Sequence, residues 1–325
     1  MKRRNFTLLL MAATLLAFLL SLSAGKVWIA PDQWFSGYAN GEVDGWIFLE
    51  LRLPRALLGL AIGATLGLSG AVLQGYLRNP LADPTILGVS STAALGGVTA
   101  ISLGAGTLPF GIFGSAMAGA GLSVLLLMLL AGRGGSLGFI LGGLVLSTLA
   151  GSLTAFLISI SPNPYATSEI VAWLMGALTD RTMDDALLAL PLMALGAVIL
   201  IFTARSLDAL SLGEAGAHSL GVNLRRLGWL IIFGVGLGVG ASVAVAGIVG
   251  FVGLITPHLV RGVIGEQPSA ILLPSALAGA ILTLVADSFV RLTPGVSEIR
   301  LGIAMALLGA PFFLAIIWHY RREMA

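Results

Sequence analysis

Asp287 and Arg291 stand one helical turn apart inside an apolar run, where ionised groups are costly and usually have a task. Such an acid can carry a proton, but a base four residues on shares its helix face and can hold it as an ion pair. The spacing favours the pair and leaves a functional Asp287 open. His258 follows Pro257 in ITPHLVR (255–261). It can serve as a relay or a ligand. With no second histidine, cysteine or carboxylate close in sequence, packing at an interface is the simpler assignment. Arg52 and Arg55 in LELRLPRALLG (49–59) lie three apart, on one face at the end of another run. Arginines there ordinarily snorkel to lipid headgroups. These two, however, fall on the side where basic residues are scarce, which suits meeting the acidic groups of a partner.

No residue is assigned to catalysis and none to a metal. A phosphate loop needs G-x-x-x-x-G-K-[ST], whereas the lysines are Lys2 and Lys26 alone, in other contexts. H-E-x-x-H is absent, and the serines have no paired base a turn away. The run Gly234, Gly236, Gly238, Gly240 has the wrong spacing for a dinucleotide loop. With no cysteine, disulfides and thiolate metal sites are excluded. The net charge of +2 gives no reason to expect nucleic acid.

The elements that must position these residues are membrane helices. The 325 residues are 57% hydrophobic and 10% charged, with 44 glycines and a mean hydropathy of +1.01. No soluble domain has that balance. Apolar runs of bilayer length predict an all-α polytopic protein, one domain over 1–325. Ten spans are expected at about 6–24, 53–75, 85–104, 111–131, 137–160, 184–203, 227–246, 248–264, 269–290 and 309–320. Short interfacial helices are expected near 167–178 and 297–307. Residues 1–24 also resemble a signal peptide, but SLSAG lacks a clean small-x-small site, so an uncleaved first span is expected. Starting inside, eleven basic residues fall on the cytoplasmic side and six outside. That satisfies the positive-inside rule and puts both termini in the cytoplasm.

Gly59, Gly63, Gly67, Ala71 and Gly75 form a stripe of small residues on the second span, and Gly236, Gly240 and Ala244 form one on the seventh. Both predict close helix packing. NPLADPTILGVSSTAALGG (79–97) and EQPSAILLPSALAGA (266–280) echo each other, each with a proline before Ile-Leu. The echo pairs the second and third spans with the eighth and ninth in opposite orientations, an inverted-repeat character. In the cytoplasmic turn, Asn79-Pro80 ends one span and Asp83-Pro84 begins the next, the aspartate capping free N–H groups.

SLGEAGAHSLGVNLRRLGW (211–229) interrupts the hydrocarbon. Ser211 and Glu214 read as a capping box, Gly221 as a left-handed stop and Asn223 as the cap of the seventh span. A helix of about nine residues is too short to be stable alone. It needs something to pack on, either the spans or another protein.

LRLPRALLGLAIGATLGLSGAVLQGYLRNPLADPTILGVSS, EAGAHSLGVNLRR, GFVGLITPHLVR and SEIRLGIAMALLGAPFFLAII occur in this order. Together they resemble the permease subunits of type II ABC importers for iron siderophores, haem and cobalamin, from about residue 49 to 317. Only the first span and the stretch to about residue 48 match poorly. The resemblance implies a homodimer in the bacterial inner membrane, two cytoplasmic ATPase subunits carrying ATP and Mg, and a periplasmic binding protein. No cofactor is expected on this subunit. Carried over by residue, the segment 211–223 corresponds to the coupling region, with Glu214, Ala217, Leu220, Gly221 and Arg225 meeting the ATPase. Arg52 and Arg55, with Arg291 as a third, correspond to arginines that dock the binding protein. The fifth, eighth and tenth spans would border the pathway, and SPNPYATSEIVAW (161–173) would lie at its mouth. The implied function is import of a bulky metal chelate. A ferric siderophore is the expected cargo, haem and cobalamin are alternatives, and an ion-coupled secondary transporter is the less favoured reading.

Overall fold

The computed structural model describes residues 3–39, 43–108, 110–131, 135–161, 163–293 and 298–323, and among these there is no strand. Among the described residues, seven stretches are long and apolar enough to cross a membrane. They are α1 (Arg3–Ser23), the stretch ending in α4 (Leu53–Leu77), α6 (Gly111–Ala131), α7 (Gly135–Ser159), α9 (Met183–Phe202), α12 (Leu224–Ala246) and α14 (Pro268–Leu292). The remaining three expected spans coincide with α5 (Val89–Ser102), α13 (Val252–Ile264) and α15 (Leu301–Glu323), whose apolar parts are shorter. Two small helices, α2 (Gln33–Ala39) and α3 (Val43–Trp46), and a π-helical turn at Ile47–Arg52 lead into α4. Here Trp34 stacks on Phe48 with centroids 5.3 Å apart. The mouth segment forms α8 (Pro164–Leu174), with Asn163 accepting from the Tyr165 N–H as its cap. Lys2, Arg133, Pro162 and Ser297 lie outside the described residues.

Three expectations about the elements are corrected. The short helix near 297–307 and the span 309–320 form one helix, α15. Pro311 removes a single internal hydrogen bond, and breaking the helix in an apolar setting would leave several groups unsatisfied. The eighth span begins at Val252 rather than 248. Residues 248–250 run through the bundle between the two helices: Val249 is buried, and the Ala177 N–H donates to the Ala246 carbonyl at 2.8 Å. Phe251 adopts φ 67° and sets its ring against Gly309 of α15. The echo also does not relate inverted segments. α4 and α13 run the same way, since Arg78 and Asn79 just past the end of α4 line one cavity with Arg261 and Glu266 at and just past the end of α13.

The burial pattern explains the glycine stripes. α4 and α12 are buried over most of their length, whereas α1, α6, α7 and α9 turn most of their residues outward. Between membrane helices there is little hydrophobic drive, so close approach of small residues must supply the packing. On α4, a Cβ at Gly63 would strike the Gly279 carbonyl of α14, one at Gly67 the Ser275 carbonyl, and one at Gly70 the Gly253 carbonyl of α13. On α12, Gly236 faces Val124 and Gly240 faces Ala120, both on α6. Gly63→Leu should therefore cost at least about 1–3 kcal/mol, read as a lower thermal midpoint in detergent. Gly114→Ala, on α6 with nothing within 4 Å of its added carbon, should leave the midpoint unchanged.

Candidate functional site

The expected functional residues gather at opposite ends of the α4–α14 pair. At the end where α4 starts, the Arg55 guanidinium grips Asp287. Its Nε lies 3.1 and 3.0 Å from the two carboxylate oxygens, and its Nη2 lies 2.9 Å from Oδ1. Arg291 reaches the same carboxylate at 3.1 Å, as its i,i+4 spacing anticipates. Arg291 also donates to the carbonyls of Ser21 (3.0 Å) and Ala24 (2.9 Å) and to Ser21 Oγ (2.6 Å). Arg52 donates to the carbonyls of Ala24 and Val27. Two guanidinium groups thereby satisfy the terminal carbonyls of α1, which no water could reach if that end were buried bare. Gly25 leaves room beside them: a Cβ there would fall on the Arg52 guanidinium and displace it.

The three arginines are buried rather than displayed, and neither Arg52 nor Arg55 snorkels. The missing signal was tertiary, since Asp287 lies 232 positions from Arg55. Glu298, also unassigned in the sequence, bonds Arg55 Nη2 at 2.8 Å and accepts from Thr179 Oγ1 at 3.3 Å. Burial alone would raise its pKa, but the bonds and charge of Arg55, with Thr179 and Arg291, hold the carboxyl below the usual range. Both carboxylate oxygens of Asp287 are engaged by arginines, Oδ1 by Arg55 and Oδ2 by Arg291.

At the other end Arg78 closes α4 at φ 49°. Asn79 Oδ1 accepts from the Leu81 N–H at 2.9 Å, and Asp83 Oδ1 accepts from the Thr85 N–H at 3.0 Å. The turn from Asn79-Pro80 to Asp83-Pro84 is thus capped as its sequence implies, although Pro84 opens a short 3-10 turn before α5. Desolvation raises the Asp83 pKa despite the bonds from Thr85. Gln74, which carried no signal in the sequence, clamps the turn to α13: its Nε2 donates to the Ala82 and Gly253 carbonyls, both at 3.2 Å. A cavity of about 880 Å³ opens beside the turn, bordered by Arg78, Pro80, His258, Glu266 and Phe312. His258 meets Phe312 of α15 edge-on at 6.0 Å. The eighth and tenth expected spans border this cavity, and the fifth (α7) supplies none of its lining.

A short helix, α10 (Ala204–Leu210), precedes the polar interruption, which itself holds a second, α11 (Glu214–Ser219), and the first turns of α12. The capping box is corrected. Ser211 ends α10, its Oγ donating to the Asp208 carbonyl at 2.6 Å, and Gly213 at φ 93° opens α11 without a side-chain cap. With its Oγ turned back to Asp208, and with Gly213 as the residue that precedes α11, Ser211 does not cap that helix. The true capping box is Thr182 with Asp185, at the start of α9. Gly221 does terminate α11 at φ 81°. The Val222 N–H bonds the Ala217 carbonyl (3.0 Å) and the Gly221 N–H bonds that of His218 (2.9 Å), a Schellman arrangement. Asn223 caps α12 by accepting from the Arg226 N–H.

Ala217 turns inward and is fully buried, so it seats the helix and offers nothing to a partner. Glu214, Leu220, Gly221 and Arg225 face outward. Arg225 lies over the Trp229 ring at 4.9 Å, a cation–π contact. Leu212 and Leu220 are 71% and 63% exposed on an otherwise polar connection, an apolar pair the sequence reading passed over in Leu212. Asp208 ties this connection to α14, accepting from the Ser269 N–H (2.8 Å) and Gln267 Nε2 (3.1 Å). Burial would raise its pKa, but these bonds outweigh it and hold the carboxyl below its usual value.

The family model described as the FecCD transport family matches residues 13–319, including most of the first 48 residues that had looked poorly matched. The vitamin B12 import system permease BtuC of Salmonella typhi is 39% identical over 97% of this chain and 96% of its own length. The cobalamin import permease BtuC of Halobacterium salinarum is 40% identical over 82% of this chain and 72% of its own. Among solved structures, one described as a metal-chelate type ABC transporter in an inward-facing conformation superposes with a TM-score of 0.86. It shares 34% identity, with 98% of this chain and 99% of that one covered. PsaBC of Streptococcus pneumoniae shares the fold alone, with a TM-score of 0.51 and 17% identity over 80% and 90% of the two chains. An all-helical chain with intramembrane helices held by small residues, matched over nearly its whole length to importer permeases, is a transport subunit in a membrane, and it belongs to the FecCD transport family.

Proposed function

We propose that this chain is the permease of an ATP-driven importer for cobalamin or a closely related metal chelate. The observation that carries the reading is the 39% identity to the Salmonella typhi vitamin B12 permease across 97% of the chain. The vitamin B12 and cobalamin permeases among its relatives favour the cobalamin alternative over the expected ferric siderophore. In this reading the protein sits in a bacterial inner membrane as one of two identical copies, with the Arg78 end and both termini in the cytoplasm.

Two ATPase subunits meet α10 and α11 through Glu214, Leu220 and Arg225. Support comes from the exposed Leu212 and Leu220 and from the tie between Asp208 and the start of α14. A binding protein docks at the Arg55 end, whose surplus of guanidinium groups over carboxylates attracts acidic groups. Cargo leaves through the pathway that α13 and α15 border. An ion-coupled transporter would need a freely exchangeable intramembrane acid, and Asp287 is occupied by two arginines.

Deleting the gene should abolish cobalamin uptake in cells that depend on it and leave ferric siderophore uptake intact. The opposite pattern overturns the cargo assignment. Combining Glu214→Ala with Arg225→Ala should lower uptake by roughly 5- to 150-fold, the range of a coupling of about 1–3 kcal/mol. ATP hydrolysis by the purified complex should persist, and transport at the wild-type rate would remove the coupling role from this segment.

A further inference from the structure

The five ionised groups at the outer end are not equivalent. The Asp287 and Arg291 side chains are 2% exposed and Arg55 is 10% exposed, whereas Glu298 is 22% exposed. Arg55 holds Asp287 with both Nε and Nη2, but gives Glu298 only Nη2, which it already shares with Asp287. Removing Glu298 would leave Arg55 its buried counter-charge, while removing Asp287 would take from Arg291 its carboxylate and leave Arg55 only the more exposed Glu298. Glu298 also stands three residues ahead of Leu301, outside any helix, so it can move without breaking helical bonds. Three guanidinium groups against two carboxylates leave the cluster one positive charge in excess.

We infer that Glu298 is an internal stand-in for a partner's carboxylate, which on docking takes its place at Arg55 and frees the segment leading into α15. The inference rests on the docking reading above and adds a mechanism to it: the contact is an exchange of one carboxylate for another. Because Asp287 keeps Arg55 neutralised throughout, the exchange strands no buried charge. Releasing Glu298 also releases its bond to Thr179, which ties the segment before α15 to the connection between α8 and α9. Docking at the surface is thereby converted into freedom for residues 298–300, just ahead of a helix that borders the pathway and whose Gly302 N–H still bonds the Gly176 carbonyl at 3.2 Å.

The chain has no cysteine, so Ile299→Cys gives a background-free reporter beside the latch. In the free permease, reconstituted in nanodiscs, Glu298→Gln should raise the rate of labelling at this position by a membrane-impermeant maleimide several-fold. Glu298→Asp, which keeps the charge, should label close to the wild-type rate and guards against misfolding of the first variant. Adding the importer's own binding protein to the reporter with Glu298 intact should raise labelling to the level of Glu298→Gln. Unchanged labelling in Glu298→Gln overturns the latch whether or not anything docks. Docking detected by co-sedimentation without a rise in labelling overturns the exchange. A binding protein that fails to co-sediment at low salt overturns the docking reading and the exchange with it, while the Glu298→Gln comparison still decides whether Glu298 holds the segment.

Discussion

The carbonyl of Gly279 lies where a side chain on Gly63 would be, and the carbonyl of Gly63 lies where one on Gly279 would be. In a lipid setting this backbone contact replaces the hydrophobic drive that would join two helices in water. It brings α4 and α14 together closely enough for Arg55 and Asp287, each costly alone at that depth, to neutralise each other. With those charges paired, Arg291 is free to turn its remaining donors to the last carbonyls of α1. Removal of the glycine contact would deprive the ion cluster of its geometry and the first helix of its cap.

Much of this arrangement was legible in the chain. Helix positions follow from apolar run length, which is a local property, and the stripes on α4 and α12 mark the two most buried helices because only buried faces need small residues. The caps at Asp83 and Asn223 and the stop at Gly221 depend on residues within five positions of one another, and the family segments carried the identity. The mouth cap at Asn163 shows the same local logic in a segment whose role the sequence left open.

What the sequence hid was tertiary or competitive. Arg55 meets Asp287, Gln74 meets Gly253 and Asp208 meets Ser269 across separations that no periodicity encodes. Ser211 matched a capping-box pattern but was claimed by the preceding helix, a contest the pattern does not register. The short helix near 297–307 and the span from 309 were expected apart, and α15 runs through that junction and through Pro311 as one helix. Arg52 and Arg55 read as surface groups because their position near a span's end is visible in the sequence, and their partners on α1 and α14 are not.

α14 has a further consequence as a mechanical part. Its 25 residues make a rod of about 37 Å at a rise of ~1.5 Å per residue. One tip is lashed to α10 by Asp208, and Asp287 near the other tip is bolted to Arg55. A displacement of α10 on one side of the membrane therefore arrives on the far side as motion of the same rigid body. No chain of side-chain rearrangements has to carry it across, just as a connecting rod needs no relay between its two bearings.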